Sequence, residues 1–250
     1  NFLAVRCPAA MIHDRERGVT TVVSEFDQNL INHMKNILHE IDLYQYNISK
    51  KNHVPLVDEV REDPSEKFIE GVRRILDYLR AGDAFQINLS RGWRAALKPG
   101  VDPVDVYRSL RQANPAPFAG LVQVDGVAVL SSSPERLVQI EGRQVQTRPI
   151  AGTRPRGAGS EDAVLRDQLI GNLKERAEHV MLIDLERNDL GRVCEPGSVE
   201  VSELMTLESY AHVHHIVSNV RGRLREGVGQ GEVLEAVFPG GTITGCPKVR

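Results

Sequence analysis

The spacing of apolar and polar positions changes period several times along the chain. Residues 26–45 carry apolar side chains every three or four positions and predict a helix. A second helix is predicted from Ser65, which we expect to cap it, to Gly82, where a glycine ends it. Apolar and polar residues then alternate from Phe85 to Ser90, which predicts a strand with one polar face.

Short turns predict antiparallel strands in the middle of the chain. Asp125-Gly126 separates two apolar runs and is typical of a two-residue hairpin turn, and Glu141–Arg143 has the same place in the next pair of runs. The other predicted elements are a short helix after Asp102-Pro103, a long helix over Ser160–His179, strand-like sequence over Ser198–Val220 and a helix over Glu232–Phe238. Antiparallel strands and helices in separate blocks predict an α+β fold.

Composition narrows the class of protein. The 250 residues are 41% hydrophobic and 26% charged, which is ordinary for a globular protein, and the net charge of −3 argues against a dedicated nucleic-acid binder. We expect no membrane span, and three widely separated cysteines fit free thiols in the cytoplasm. Because the chain opens at Asn1 without methionine and stops after a glycine-rich segment, we expect a fragment.

The hexapeptide Lys174–His179 holds two acidic residues three positions apart. On a helix, Glu175 and Glu178 would lie on one face, where their carboxylates repel each other unless a cation lies between them. A divalent ion that prefers oxygen ligands, such as Mg²⁺, would relieve the repulsion. The alternative is a solvated helix face with Lys174 and Arg176 as partners, and the hexapeptide alone favours that alternative.

Two glycine-rich segments predict carboxylate-binding loops. Pro149–Gly157 combines glycine and threonine with two arginines, Arg154 and Arg156, which would attract an acidic substrate. Phe238–Lys248 has three glycines and two threonines, but the order of its residues excludes a phosphate-binding P-loop. For each segment the alternative is an ordinary surface loop.

Ser131–Arg136 joins two predicted strands and contains Glu135, which can act as a general acid or base if it is partly buried. The alternative is a surface ion pair with the neighbouring arginine.

His212, His214 and His215 lie on another predicted strand. A histidine among valines is more often a core residue than a catalyst, and a zinc site is disfavoured because alternate histidines supply at most two ligands.

Seven segments follow one another from about residue 64 onward: Gly82–Arg91, Asn114–Phe118, Leu130–Leu137, Thr147–Gly157, Lys174–Cys194, His212–Asn219 and Phe238–Arg250. In this order they resemble the chorismate-utilising enzymes, which include anthranilate synthase component I, aminodeoxychorismate synthase component I, isochorismate synthase and salicylate synthase. The resemblance implies an α+β fold in which two antiparallel sheets pack together, helices surround them and the active site lies in a deep cleft.

The resemblance also implies roles for individual residues. Glu178 matches a Mg²⁺ ligand and Glu175 a second carboxylate at the metal, while Glu135 matches the acid/base near the C4 hydroxyl and His215 a histidine near the substrate ring. The residues matched to substrate binding are Gln86, Gly152, Thr153, Gly241, Thr242 and Lys248. The family's other metal-binding glutamates would lie past Arg250, so we expect half of a metal site, an incomplete C-terminus and weak binding of Mg²⁺ and chorismate.

Gln86 stands where isochorismate and salicylate synthases have a lysine that activates water, so the resemblance implies ammonia as nucleophile, supplied by a glutamine amidotransferase subunit. Most segments are more similar to aminodeoxychorismate synthase than to anthranilate synthase, the alternative. Ala151 conflicts, because many aminodeoxychorismate synthases have a nucleophilic lysine there. A non-catalytic dicarboxylate-binding protein is a further alternative. We expect residues 1–50 to be a remnant of an N-terminal region and residues 51–250 to form the chorismate-binding catalytic domain.

Overall fold

The computed structural model describes residues 7–14, 16–25, 27–43 and 56–248. The chain forms two compact units, Asn1–Val54 and Pro55–Arg250. The first unit therefore ends at Val54. The sequence predicted the boundary four residues earlier, after residue 50. The linker predicted at residues 49–55 lies outside the described residues.

The first unit contains a hairpin and a helix. Strand β1 (Ala9–Asp14) pairs antiparallel with strand β2 (Val19–Ser24), and helix α1 (Gln28–Leu43) follows. The Asp27 side chain caps the helix by accepting a hydrogen bond of 2.8 Å from the backbone N–H of Asn29. The helix was predicted and is confirmed, whereas the hairpin was not predicted.

The second unit contains six helices and eleven strands among the described residues. The helices are α2 (Ser65–Ala81), α3 (Pro103–Ala113), α4 (Ser160–Gly171), α5 (Leu173–Gly191), α6 (Gln230–Val237) and α7 (Gly241–Thr244). The strands are β3 (Val57–Glu62), β4 (Gln86–Ile87), β5 (Trp93–Leu97), β6 (Phe118–Val124), β7 (Val127–Ser133), β8 (Arg136–Glu141), β9 (Gln144–Arg148), β10 (Ile150–Pro155), β11 (Glu200–Ser209), β12 (Val213–Arg223) and β13 (Gly245–Cys246).

The main sheet has five antiparallel strands arranged around β12. The first half of β12 pairs with β10 and its second half with β9, which in turn pairs with β8, while β11 pairs along its other edge. Among its described residues the second unit also has three smaller antiparallel pairs, β3 with β5, β6 with β7 and β4 with β13. The α+β class is confirmed, but one five-stranded sheet and several two-stranded pairs replace the two packed sheets that were predicted.

Helices α5 and α6 pack on the five-stranded sheet and form its core with it. The fully buried apolar side chains there include Val145 of β9, Leu190 of α5, Val220 of β12 and Val233 of α6. Burial of each contributes about 1.5–3 kcal/mol relative to exposure. The core therefore fixes α5 against the sheet. No helix in the described part of the chain has the length and apolar character needed to cross a bilayer.

Local signals in the sequence placed two elements correctly. Asp102 caps α3, because its side chain accepts a hydrogen bond of 2.8 Å from Val104 N–H and Asp105 completes a capping box. Asp125 and Gly126 form the turn between β6 and β7 with φ angles of 49° and 77°, a conformation that asparagine, aspartate and glycine adopt most readily.

Four local predictions were wrong, two of them at helix ends. The helix predicted over Ser160–His179 is two helices, because Asn172 is extended, ends α4 and caps α5 by accepting hydrogen bonds from Lys174 and Glu175 N–H groups. Ser65 does not cap α2 but begins it, since Pro64 takes the cap position.

The strand predicted over residues 85–90 is reduced to Gln86–Ile87, and Phe85 is 77% exposed. Its partner strand, β13, is also only two residues long, so the pair cannot cover the apolar side chains of the whole segment. The basic loop predicted over residues 149–157 contains strand β10, which pairs with β12.

Candidate active site

Helix α5 carries charged side chains on the face that packs against the sheet. Its buried residues are His179, Leu182, Ile183, Glu186, Asp189 and Leu190, which recur at spacings of three and four. A charged group on a buried helix face must have a polar partner or shift its pKa. The partners of these side chains therefore define the chemistry of the face.

Glu175 and Glu178, the residues predicted to bind Mg²⁺, lie on consecutive turns of α5. Arg154 of β10 pairs with the Glu175 carboxylate at 3.0 Å, and the Gln86 amide of β4 donates to Glu178 Oε1 at 3.1 Å. The two carboxylates are therefore held by protein groups from two different strands.

The described residues include no group of three or more histidine, cysteine, aspartate or glutamate side chains that would enclose a metal ion. The carbonyl oxygen of the Gln86 side chain is buried without a partner beside Glu178. Two carboxylates and one amide oxygen are the donor chemistry that Mg²⁺ accepts, although they are fewer than its six ligands. These residues fit part of a magnesium site.

Strand β10 bulges at Gly152, between the pairs that Ile150 and Thr153 make with β12. The φ angle of Gly152 is 91°, and an added Cβ would lie 3.1–3.4 Å from side chains of Leu169, Glu175 and Ile216. Glycine is therefore required by the backbone conformation and by the space.

The bulge brings Thr153 to His215 of β12. Their side chains form a hydrogen bond of 2.8 Å between Oγ1 and Nδ1, and the His215 ring also interacts with the Gly152 backbone. His215 is 8% exposed, and burial lowers the pKa of its imidazole. His215 is therefore a neutral donor or acceptor at neutral pH, in contact with the segment predicted to bind substrate.

Glu135 lies at the junction of β7 and β8. Its backbone N–H donates to Ser133 Oγ at 3.1 Å, which fixes the turn, and its carboxylate accepts from Ile150 N–H at 3.4 Å and from the Thr242 hydroxyl. Burial raises the pKa of the carboxyl, and the two hydrogen bonds offset this only in part. Glu135 is thus a partly buried carboxyl that keeps its proton more readily than an exposed one, and the predicted surface pair is not what holds it.

The second glycine-rich segment reaches Glu135 through α7. Gly241 is buried against Leu185 of α5, where an added Cβ would lie 3.0 Å from that side chain. Asn88 donates to the Thr242 carbonyl at 2.8 Å, and the Thr242 hydroxyl reaches Glu135. The two predicted loops therefore meet at one carboxyl, one through Ile150 and the other through Thr242.

Lys248 does not have the position that its predicted role requires. Its ammonium donates to Asp189 at 2.6 Å and to the carbonyls of Val237 and Ala236 at 2.8 and 3.2 Å, and its side chain is 7% exposed. All three N–H groups are in use, so the geometry favours a structural role over binding of a substrate carboxylate. Sequence alone did not reveal the partner because Asp189 lies 59 positions earlier.

The two arginines predicted to attract an acidic substrate also have partners within the protein. Arg154 pairs with Glu175, and Arg156 pairs with Asp162 at 2.8 Å. His214, the neighbour of His215, also bonds Asp162, at 2.9 Å. The positive charges of the two arginines are therefore partly neutralised by carboxylates of the protein itself.

Glu186 and Asp189 were missed by the sequence reasoning. They follow Leu182 and Ile183 at spacings of three and four on the buried face of α5, and this helical spacing was a signal that they share that face. Burial, helped by the nearby Asp189 and Glu135 carboxyls, raises the pKa of Glu186 to about 7.

Two pockets are lined by residues of the candidate site. Gln86 lines one of about 340 Å³ together with Tyr78, Thr244 and Cys246. Ile150 lines a second of about 240 Å³. The lining of neither pocket includes Glu135 or His215, so neither corresponds to the single deep cleft that was predicted.

The curated relatives carry two kinds of name. Aminodeoxychorismate synthase component 1 of Bacillus subtilis is 51% identical over 184 residues, which are 73% of this chain and 39% of that protein. Anthranilate synthase component 1 of Thermus thermophilus is 50% identical over 186 residues, 74% of this chain and 40% of that protein. The chain spans about two fifths of the length of these relatives.

Among solved structures, anthranilate synthase component I from Streptococcus pneumoniae TIGR4 superposes with a TM-score of 0.80 and 32% identity, over 95% of this chain and 54% of that one. The resemblance in fold to anthranilate synthase component I is thereby confirmed. Residues 1–250 match the sequence profile of the chorismate binding enzymes. This chain belongs to the family of chorismate-binding enzymes.

Proposed function

We propose that the chain is the chorismate-binding part of an aminodeoxychorismate synthase component I. The reaction is the Mg²⁺-dependent amination of chorismate to 4-amino-4-deoxychorismate, with ammonia from a glutamine amidotransferase subunit. The observation that carries the proposal is Glu135, a partly buried carboxyl with a raised pKa at the point where both glycine-rich segments meet.

Glu135 is the proton donor in this proposal. Loss of the C4 hydroxyl needs a proton, because hydroxide is a poor leaving group. Burial raises the pKa of Glu135 and so favours its protonated form, while Ile150 N–H and the Thr242 hydroxyl stabilise the carboxylate that remains after the transfer. Both states of the carboxyl thus have a physical basis in the structure.

Glu175 and Glu178 would hold the magnesium ion, which supplies positive charge for the substrate carboxylate when bound. Arg154 and Gln86 contact these two side chains, which lie on the same face of α5. Gly152, Thr153, Gly241 and Thr242 would hold the substrate, as the resemblance implies. His215 would contact the substrate ring in its neutral form.

Gln86 supports ammonia rather than water as the nucleophile. An amide is not a base, so Gln86 cannot activate water as a lysine would. Its N–H donates to Glu178, and its carbonyl oxygen is buried beside that carboxylate, so neither group can take a proton from water. This arrangement suits a nucleophile that needs no deprotonation.

Ala151 favours anthranilate synthase as a second candidate. Its side chain is 7% exposed and carries no amine, so no covalent intermediate can form at this position. Ammonia must then add directly to the ring. An anthranilate synthase would add it at C2 and eliminate pyruvate, whereas the preferred enzyme would leave the pyruvyl ether in place.

Product analysis of the full-length protein with chorismate, Mg²⁺ and ammonium salt tests the proposal. Aminodeoxychorismate without pyruvate is the expected product. Anthranilate with pyruvate would replace the proposal by the second candidate, and binding of chorismate without turnover would indicate a non-catalytic dicarboxylate-binding protein. Glu135→Gln should abolish amination and leave Mg²⁺-dependent chorismate binding intact. The control Glu226→Gln removes the same negative charge at an exposed position and should preserve both amination and binding.

A further inference from the structure

Tyr210 has no part in the proposed mechanism, although its ring contacts His215. It lies in the connection between β11 and β12, where its backbone N–H donates to the Val213 carbonyl at 2.8 Å. The centres of its phenol ring and of the His215 imidazole are 5.7 Å apart, and the ring planes are inclined by 57°. Aromatic rings attract each other in tilted arrangements at this separation. The contact therefore restricts the orientation of the imidazole.

His215 is the middle residue of a row that crosses three strands. It pairs in register with Thr153 of β10 on one edge of β12 and with Glu208 of β11 on the other. Residues directly opposite each other in a sheet carry their side chains on the same face, where they interact. Because Thr153 bonds the imidazole at 2.8 Å, the ring has a hydroxyl on one side and a carboxylate on the other.

Both oxygens of the Glu208 carboxylate have partners other than the imidazole. Its Oε1 accepts from Arg148 Nε at 3.1 Å and from Nη2 at 2.6 Å, and its Oε2 accepts from the Tyr210 hydroxyl. Burial raises the pKa of Glu208, but the hydrogen bonds from Tyr210 and Arg148 outweigh burial and lower it. Burial and the Glu208 carboxylate raise the pKa of Tyr210 to about 12. The phenol therefore keeps its proton and donates it to an ionised carboxylate.

The charge of Glu208 also acts on His215. Burial lowers the pKa of the imidazole most, the Gly152 backbone and the Glu208 charge raise it, and His214 lowers it, so that the pKa is lowered overall. Helices α4 and α5 contact the opposite face of β12, through side chains bonded to His214 and Ser218. A hydrogen bond from the imidazole to the carboxylate would favour the imidazolium form. The state of His215 therefore depends on where the Glu208 carboxylate is held.

We propose that Tyr210 is a positioning residue for His215: its ring fixes the orientation of the imidazole, and its hydroxyl holds the Glu208 carboxylate so that it does not bond the imidazole. The inference rests on the proposed function, in which His215 contacts the substrate ring in its neutral form. Tyr210 acts through His215 and not on the reacting atoms.

Tyr210→Phe in the full-length protein keeps the ring and removes the hydroxyl. One oxygen of Glu208 then loses its partner, and the imidazole beside it becomes an available donor. We expect the titration midpoint of His215, followed by NMR of ¹³C-labelled histidine, to rise by about one pH unit. The acid limb of kcat/KM should move up by the same amount, which lowers the rate about tenfold below the midpoint and leaves it within about twofold of wild type at pH 8.

Combining Tyr210→Phe with Glu208→Gln removes the charge as well as the hydroxyl. The double variant should titrate at or below the wild-type midpoint, because no carboxylate remains beside the imidazole. The matched control is Tyr107→Phe, the same change on α3, which packs on β6 and β7 and should leave the His215 midpoint unchanged. An unchanged midpoint in Tyr210→Phe overturns the inference, and so does a double variant that keeps the raised midpoint.

Tyr210→Leu tests the role of the ring. It should lower kcat/KM about tenfold or more at pH 8, because the imidazole loses its orientation, whereas Tyr210→Phe retains the rate. Equal rates in these two variants at pH 8 overturn the role of the ring, and an equal loss in Tyr210→Phe at every pH, which a purely structural role would produce, overturns that of the hydroxyl. If wild type forms no product from chorismate, the proposed function fails, while the histidine titration still decides whether Tyr210 controls His215.

Discussion

A methyl group added at position 152 would meet two obstacles. The φ angle of Gly152 is 91°, outside the region that residues with a Cβ prefer, and the new atom would lie 3.1 Å from Ile216 Cδ1 and 3.2 Å from Leu169 Cδ1. Both of those side chains are fully buried at 0% exposure, so neither has free space to move into. The expected result of Gly152→Ala is a large loss of stability.

The magnitude follows from adding the two costs. The left-handed backbone conformation costs an alanine about 1–2 kcal/mol. The tight contacts in a filled core cost about a further 1–3 kcal/mol. We therefore expect Gly152→Ala to lower the free energy of unfolding by about 2–5 kcal/mol, which for a unit of this size corresponds to a fall in Tm of about 5–15 °C.

Urea unfolding followed by circular dichroism measures the loss, with Gly227→Ala as the matched control. Gly227 has a φ of 83° but no atom within 4 Å of an added Cβ, so only the backbone cost applies, about 1–2 kcal/mol. If the two variants lose the same stability, the packing argument is refuted. If Gly152→Ala loses less than the control, the bulge is not held as described.

Three further predictions concern stability. Asn172→Ala removes the cap of α5 and should cost about 1 kcal/mol in urea unfolding; Asn172→Asp should retain most of it, and equal losses in both would contradict a capping role. Lys248→Met leaves Asp189 buried and uncompensated and should cost about 3–5 kcal/mol; adding Asp189→Asn should restore much of the loss, and no recovery would argue against the pair. Burial raises the pKa of Glu186 above its ordinary 4.5 to about 7, so its stabilising proton is fully bound below pH 4.5 and lost as the pH rises through 7. Glu186→Gln should therefore gain about 3 kcal/mol relative to wild type between pH 4 and 8, and parallel stability curves would refute the shift.

The elements that were correctly predicted depend on neighbouring residues. The capping box at Asp102 and the turn at Asp125-Gly126 act within three positions of the chain, and both appear where the sequence placed them. The carboxylates of Glu175 and Glu178 also lie on one face of α5, because that follows from helical spacing alone. Caps, turns and helix faces can be predicted from the sequence because they depend on residues that are close together in the chain.

What the sequence did not reveal concerns contacts between distant residues. Strand β10 was taken for a loop because the Gly152 bulge interrupts its alternation, and only pairing with β12 makes it a strand. Lys248 was assigned to the substrate from the resemblance, and its partner Asp189 in α5 lies too far along the chain to be recognised from the sequence. Polar side chains can satisfy one another inside a fold, and the sequence does not say which will do so.

Strand β12 has a neighbouring strand on each edge, and this affects how readily its amide groups become exposed to solvent. Residues 214–220 of β12 are all buried, and β11 pairs along one edge while β10 and β9 share the other. Amide protons in such a strand exchange with deuterium only when the whole unit unfolds. We therefore expect His215 to be among the last residues to exchange. Because β10 lies about sixty positions before β12, we also expect these two strands to pair later in folding than the local hairpin of β11 and β12.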